Sequence, residues 1–169
     1  MDGIVITEYN PAWPFVYETE RALLAEAFGS YALDIQHVGS TSVPGLAAKP
    51  IIDIGVAIQQ YPLPDPVIQA VVNLGYEHMG EYGVPRRHYF RRDNPRTHHV
   101  HALEIDGEEW VNHILFRDYL RTHPDEARRY EILKRALAVQ YAHDRGTYTD
   151  SKTPFIKDVL NRARMWHNN

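Results

Sequence analysis

A short run of small residues is the first part of this sequence that could do chemistry. Gly39 is followed by the hydroxyl side chains of Ser40, Thr41 and Ser42. Glycine lets the backbone turn tightly and approach a ligand closely. Backbone N–H groups and hydroxyls in such a turn can hold phosphate oxygens. The run therefore predicts a site for a nucleotide or another phosphate-bearing small molecule, and an ordinary tight turn is the alternative interpretation.

A carboxylate and two imidazoles form a second candidate site. Asp53 lies in the apolar run after the turn, and His99 and His101 lie two positions apart in a later run. Side chains two apart on a strand point to one face, so both imidazoles can reach one metal ion. A carboxylate suits Mg²⁺ or Mn²⁺, whereas two histidines with a carboxylate favour Mn²⁺, Fe²⁺ or Zn²⁺. We predict a divalent metal bound by these three residues, with Asp53 catalytic; exposed or hydrogen-bonded histidines are the alternative.

Two basic side chains could complete an anion site. Arg87 lies in a predicted strand, and a guanidinium can bind phosphate through two parallel hydrogen bonds. Lys49 lies in the loop before Asp53, where its ammonium could neutralise a phosphate or pair with the carboxylate. We predict that both bind phosphate, with a solvated surface charge as the alternative. The basic residues of the last helices alternate with acidic ones and are predicted to be solvated. They are Arg117, Arg121, Arg128, Arg129, Lys134 and Arg135.

The composition sets the class of protein. The chain has 169 residues, of which 44% are hydrophobic and 24% charged, and this predicts one globular domain over residues 1–169. The absence of cysteine excludes disulfides and thiolate metal sites. The net charge of −4 argues against nucleic acid as a partner. Neither a basic leader nor a long apolar run is present, so we expect a cytoplasmic protein without a membrane partner, and a homo-oligomer is left open.

The elements that position these residues follow from the apolar periodicity. Strands are predicted at 4–8, 33–38, 50–58, 76–79, 87–92 and 98–105, and about five of them are expected to form one sheet. Helices are predicted from Asn10-Pro11 to Gly29, at 65–74, at 108–122, at 124–143 and at about 151–165. The first helix should bury Phe15, Leu23, Leu24 and Phe28, and Thr149 or Ser151 should cap the last. Mixed elements followed by helices predict an α+β fold with a helical C-terminal layer.

Several segments resemble known families. Gly39-Ser40 followed by an acidic residue on the next strand resembles the signature of nucleotidyltransferases, and the run from His37 to Gly55 is similar to the GrpB family, also called UPF0157. Further similar segments are Tyr89-Phe-Arg91, His99-Val-His101, Leu115–Pro124, Tyr148-Thr149 and Lys152–Ile156. The resemblance runs from about Trp13 to Phe155, which is nearly the whole chain. The resemblance implies a mixed sheet with the nucleotidyltransferase fold, a phosphate site at the turn and a metal at Asp53.

The carboxylates depart from the nucleotidyltransferase pattern. In that superfamily a second carboxylate follows the first by two residues, and this sequence has Gly55 there. A third carboxylate is expected on a neighbouring strand, where His99 and His101 lie. The leading hypothesis is a nucleotidyltransferase-like protein that transfers a nucleotidyl group to a hydroxyl or amine. A non-catalytic module that binds a nucleotide or coenzyme A precursor, or scaffolds a partner, is the second, since similar segments occur fused to dephospho-coenzyme A kinases. A histidine-dependent metallohydrolase is the third.

Overall fold

A mixed β-sheet lies at the centre of the structure, a computed structural model that describes residues 3–169. Within these residues five strands follow the order β1-β2-β5-β4-β3. They are β1 (Asp34–Val38), β2 (Ile52–Ile58), β3 (Glu77–His78), β4 (His88–Arg92) and β5 (His98–Glu104). Strands β2 and β5 are parallel, and the other neighbours are antiparallel. The predicted α+β class with a mixed sheet of five strands is confirmed.

Five α-helices flank this sheet in the described part of the chain: α1 (Trp13–Phe28), α2 (Asp65–Val72), α3 (Glu108–Thr122), α4 (Pro124–Gln140) and α5 (Arg145–His167). Helices α1 and α2 pack against each other and share a core with one sheet face. Helix α3 contacts β1, β2 and β5, and α4 and α5 pack on α3 as the predicted helical C-terminal layer.

The alternation of side chains along β2 explains why its two faces differ. Ile52, Ile54, Val56 and Ile58 are buried in the core shared with α1 and α2. The intervening residues point to the opposite face, because successive side chains of a strand alternate. That second face carries Asp53 and Gly55, and α3 lies over it. One strand therefore anchors the core with one set of residues and presents the candidate site with the other.

For the N-terminal region, one prediction is wrong and another is correct only in part. Residues 4–8 form no strand, and Thr7 makes only an isolated bridge with Ala48. Helix α1 buries Leu24 and Phe28 as predicted but leaves Phe15 75% and Leu23 42% exposed. Its buried side instead includes Glu20, which accepts hydrogen bonds from Arg92 and from the Tyr76 hydroxyl. A buried carboxylate is tolerated where it is paired and hydrogen-bonded, and apolar periodicity alone does not reveal such pairing.

The C-terminal helices also differ from their predicted bounds. Helix α4 ends at Gln140, and α5 starts at Arg145 and runs through Pro154. Neither Thr149 nor Ser151 is its cap, because the Asp144 side chain accepts a hydrogen bond of 3.0 Å from the Thr147 N–H. Among residues 3–169 no helix is long and apolar enough to cross a membrane.

Candidate functional site

The two adjacent parallel strands β2 and β5 bring a carboxylate and two imidazoles together. Asp53 is the register partner of His99, and Gly55 is the partner of His101. Asp53 Oδ1 lies 3.1 Å from His101 Nε2 and 3.3 Å from His99 Nδ1. The three residues predicted as metal ligands therefore share one face and converge on one point. Their role in binding a metal stays a prediction.

The protonation states of this cluster follow from its contacts. Burial opposes ionisation of Asp53, but hydrogen bonds from His101 and His99 outweigh it and hold the pKa of Asp53 well below its usual range. Burial lowers the pKa of His101, although Asp53 acts against this. A guanidinium nitrogen of Arg87 lies 3.3 Å from His101 Nδ1. Because arginine only donates, Nδ1 is the acceptor and Nε2–H donates to Asp53.

The donor set fits a divalent transition metal. One ligand atom from each of Asp53, His99 and His101 lies within 4.8 Å of the others. Bonds of about 2.1 Å in tetrahedral geometry separate ligand atoms by about 3.4 Å, close to the observed hydrogen-bond distances. His99 Nε2 is buried and has no hydrogen-bond partner among the described residues. A metal on His101 Nε2 would shift the ring proton to Nδ1, and the Arg87 guanidinium would then have to turn away.

The turn after β1 packs directly against Asp53. Gly39 has a φ of +72°, and a Cβ added there would lie 2.7 Å from Asp53 Oδ2 and 2.9 Å from its Cβ. A side chain at position 39 would therefore displace the carboxylate. Residues Ser40–Ser42 form a single turn of 3-10 helix next to it. The predicted phosphate turn and the predicted metal ligand are thus in contact.

Two of the three hydroxyls in this turn are already hydrogen-bonded within the protein. The Thr41 hydroxyl donates to the Ile51 carbonyl at 3.1 Å and lies 2.9 Å from His37 Nε2. The Ser42 hydroxyl donates to the Gly39 carbonyl. Both residues are buried, whereas Ser40 is half-buried. Ser40 and the backbone of the turn are therefore the groups that remain for an anion.

A tryptophan explains why position 55 lacks a carboxylate. A Cβ on Gly55 would lie 3.0 Å from Cζ3 of Trp110, which is buried at the start of α3. His113, one turn later on α3, lies with its ring centre 5.2 Å from that of His101. Burial lowers the pKa of His113 to about 3, so its imidazole stays neutral. The sequence analysis missed both residues, because only the packing of α3 on the sheet brings them to the site.

The predicted basic groups occupy different places. Arg87 precedes β4, lies over the Tyr89 ring at 4.7 Å and donates to the Glu81 and Tyr82 carbonyls. Lys49 is half-buried, and its Nζ lies 5.0 Å from the centre of the Tyr148 ring. Arg87 thus approaches the site beside the histidines, and Lys49 belongs to a separate group of aromatic and basic side chains.

Two residues predicted to be solvated are buried. Arg117 donates to Gln36 and to the His37 carbonyl. Lys134 is 2% exposed and donates to the Ala47 carbonyl at 2.7 Å. The prediction of a solvated face was wrong for them because mixed charge along a helix does not show which turn faces a neighbour.

Comparison with known proteins shows which family this chain resembles in sequence. A family model described as GrpB protein matches residues 3–162. The chain belongs to the GrpB family. The UPF0157 protein YqkA of Bacillus subtilis is 37% identical over 96% of this chain, which spans only 48% of the length of that relative. A UPF0157 protein of Pseudomonas aeruginosa is 39% identical over 96% of this chain and 68% of its own.

Solved structures confirm the fold. The GrpB family member from Enterococcus faecalis is 38% identical and superposes with a TM-score of 0.91 over 98% of this chain and 100% of its own. The Cid1 poly(U) polymerase, 12% identical, gives a TM-score of 0.51 over 76% of this chain and 41% of its own. The nucleotidyltransferase fold predicted for this GrpB family member is therefore correct.

A dephospho-CoA kinase of Mycolicibacterium paratuberculosis is also similar in sequence, at 27% identity over 93% of this chain and 45% of its own.

Proposed function

We propose that this protein binds a divalent metal through Asp53, His99 and His101 and holds a nucleotide against it at the turn Gly39–Ser42. The convergence of the three side chains on Asp53 Oδ1 carries this proposal. The contact between Gly39 and the Asp53 carboxylate supports it, because a phosphate bound by the turn would then lie next to the metal ligands. The reaction proposed is nucleotidyl transfer to a hydroxyl or amine.

The residues of the site have distinct tasks in this proposal. Asp53 is held ionised and His101 neutral, and these are the forms in which both side chains bind metals. When bound, the metal would offset phosphate charge and align the attacking group. Arg87, once displaced from His101 Nδ1, would present its guanidinium to a phosphate oxygen. Ser40 and the N–H groups of the turn would bind a further oxygen.

The proposed transfer balances simply. The acceptor oxygen or nitrogen bonds to the α-phosphorus as the bond between that phosphorus and the bridging oxygen breaks, and pyrophosphate leaves with that oxygen. The acceptor gives up one proton, which passes to solvent water. Gly55 provides no second carboxylate, and Trp110 fills the adjacent space. We therefore propose that one metal ion binds, with both nitrogen and oxygen ligands. For this ligand set we expect Mn²⁺ or Zn²⁺ to bind more tightly than Mg²⁺.

Calorimetric titration tests this proposal. Mn²⁺, Zn²⁺ and Mg²⁺ would be titrated into the wild type, Asp53→Asn and the control Asp158→Asn, which alters an exposed carboxylate on α5. We expect the transition metals to bind the wild type and Asp158→Asn alike and Asp53→Asn at least about tenfold more weakly. ATP, GTP, CTP and UTP would then be titrated with Mn²⁺ present. Equal metal binding by all three proteins, or no nucleotide binding at millimolar concentration, would overturn the proposal.

A non-catalytic binding module is the second candidate. The missing carboxylate at Gly55 favours it, and so does similarity to a chain named as a dephospho-CoA kinase. This candidate predicts nucleotide or coenzyme A precursor binding without turnover. Pyrophosphate release in the presence of hydroxyl or amine acceptors would contradict it. Release of inorganic phosphate without an acceptor would instead support the metallohydrolase hypothesis, provided that replacing both His99 and His101 by alanine abolishes it.

A further inference from the structure

Three lysines gather beside two tyrosines at the C-terminal layer. Lys49 Nζ and Lys152 Nζ lie 5.0 and 4.7 Å from the centre of the Tyr148 ring, and Lys134 Nζ lies 4.7 Å from the centre of the Tyr130 ring. These are three of the four lysines of the sequence. The fourth, Lys157, is exposed on α5. The lysines thus concentrate at one place, although arginines supply the remaining strong positive charges of the chain.

In the described part of the chain, carboxylates act on these three ammonium groups only from beyond ion-pair distance, Asp53 on Lys49 and Lys152 and Glu131 on Lys134. None of them forms a salt bridge there, and Lys134 is 2% exposed. Burying unpaired positive charge is costly, and neighbouring positive charges add repulsion. Burial, followed by the charge of Lys152, lowers the pKa of Lys134 to about 7. Burial, followed by the charge of Lys49, lowers the pKa of Lys152 to about 8. An anion placed among these groups would remove this repulsion.

A buried hydroxyl supplies an independent sign of a missing ligand. Tyr148 is fully buried, yet its hydroxyl has no hydrogen-bond partner among the described residues. Such an orphaned hydroxyl is uncommon in folded proteins and calls for a partner. The pKa of Tyr130 is raised by burial and then by Tyr148, and Ser40 and Asp53 also act on it. The Tyr148 side chain therefore lies near the turn that flanks Asp53.

We propose that Lys49, Lys134, Lys152 and Tyr148 form a pocket for the polyphosphate end of the ligand. The inference deepens the proposed function and rests on it for the identity of the ligand as a nucleotide. Lys49 lies in the loop that leads into β2, and the charge of Asp53 acts on both Lys49 and Lys152. The pocket therefore adjoins the candidate metal site. Phosphates that start at the turn Gly39–Ser42 would continue into it.

The number of positive charges at the two sites favours a ligand with several phosphates over a monophosphate. Three ammonium groups and a divalent metal together exceed the charge of about −2 carried by a monophosphate. A triphosphate carries more negative charge and therefore matches these positive groups better. Lysine suits this task because its compact charge contacts phosphate from many directions and its pKa can shift on binding. We therefore assign a nucleoside triphosphate, in preference to a monophosphate, as the substrate class.

Metal-free calorimetry with inorganic tripolyphosphate and inorganic phosphate tests this pocket. The proteins are the wild type, Lys152→Met, Tyr148→Phe and the control Lys157→Met, which removes the same charge from an exposed part of α5. We expect tripolyphosphate to bind the wild type and Lys157→Met equally and at least tenfold more tightly than phosphate. Lys152→Met should bind tripolyphosphate at least tenfold more weakly. Tyr148→Phe should bind it more weakly without a loss in melting temperature, because the lost hydroxyl has no partner in the free protein.

The possible results separate this inference from the proposed function. Equal affinity for tripolyphosphate in Lys152→Met and Lys157→Met, or no preference over phosphate, would overturn the pocket. Tyr148→Phe keeps the test valid if Lys152→Met does not fold. Asp53→Asn should retain metal-free tripolyphosphate binding. If the wild type binds tripolyphosphate but no metal, the pocket stands and the proposed metal site fails.

Discussion

Gly39 affects both the conformation of the turn and the position of the Asp53 carboxylate. Its φ of +72° with a ψ of −174° is a backbone conformation that essentially only glycine adopts. We predict that Gly39→Ala lowers the free energy of unfolding by about 1–3 kcal/mol through backbone strain. The added methyl group would also push Asp53 away from the histidines, so metal affinity should fall at least tenfold. Urea denaturation and calorimetry measure the two effects.

Gly45→Ala is the matched control for this prediction. Gly45 also has a positive φ, of +83°, but a Cβ added there would meet nothing within 4 Å. Both substitutions should therefore cost stability, and only Gly39→Ala should weaken metal binding. If the two variants bind metal equally, the contact between position 39 and Asp53 does not control the site.

Single residues of the site differ in how far the sequence reveals them. Asp53, His99 and His101 could be proposed because the two-residue period of a strand sets which side chains share a face. Trp110, His113, Lys134 and Lys152 could not, because their proximity depends on how the helical layer packs on the sheet. Even inside the turn, the sequence does not show that the Thr41 hydroxyl is bonded to the Ile51 carbonyl.

At the scale of secondary-structure elements, the parallel pairing of β2 and β5 positions the side chains of the candidate site. It places Asp53 opposite His99 and Gly55 opposite His101. Strand β2 could be predicted from its apolar run, because buried strands are enriched in branched apolar residues. Strand β5 could be predicted from the alternation of Val100 and Ala102 with His99 and His101, which has the two-residue period of a strand. Their parallel register could not, since it depends on contacts between segments far apart in the chain. The start of α5 was missed for a local reason, because Gly146 lies in its first turn and glycine is typical of loops.

Helix α5 depends on its cap, and this gives a prediction. The Asp144 carboxylate accepts hydrogen bonds from the Thr147 N–H at 3.0 Å and from the Thr147 hydroxyl at 2.6 Å. Asp144→Ala leaves that N–H without its partner, so we predict a melting temperature lower by a few degrees. Tyr148 and Lys152 lie in the first two turns, so polyphosphate affinity should fall as well.

Asp158→Ala provides the control for the cap. It removes an exposed carboxylate from the middle of the same helix and changes the net charge equally. Thermal melts followed by circular dichroism should show a smaller change for this variant. A melting temperature that falls equally in both would mean that charge, and not the cap, controls the helix.

At the scale of the whole molecule, the buried lysines make stability depend on pH. The pKa of Lys134 is lowered to about 7 by burial and then by Lys152, with Lys49 and Arg135 acting alike and Glu131 acting against them. An unfolded lysine keeps its proton up to a pH of about 10.4. Between these values the unfolded chain binds more protons, so the free energy of unfolding must rise with pH. Lys152, with a pKa of about 8, adds to the rise.

We predict a slope of up to about 1.4 kcal/mol per pH unit for each proton between pH 7 and pH 9. Urea denaturation at several pH values measures it. Lys134→Met should reduce the slope, because the variant has no proton to lose at that position, whereas Lys157→Met should keep it. Identical slopes in the wild type and Lys134→Met would show that the buried ammonium does not titrate in this range.

The contact between Gly55 and Trp110 also restricts how this protein can change in evolution. A carboxylate at position 55 would collide with the indole, whose nearest carbon lies 3.0 Å from the Cβ position. A smaller residue at position 110 alone would leave a cavity beside Ala57 and Leu103, which pack with the indole. Each single step is therefore unfavourable, and a second carboxylate requires both. Glycine and tryptophan should consequently be inherited as a pair.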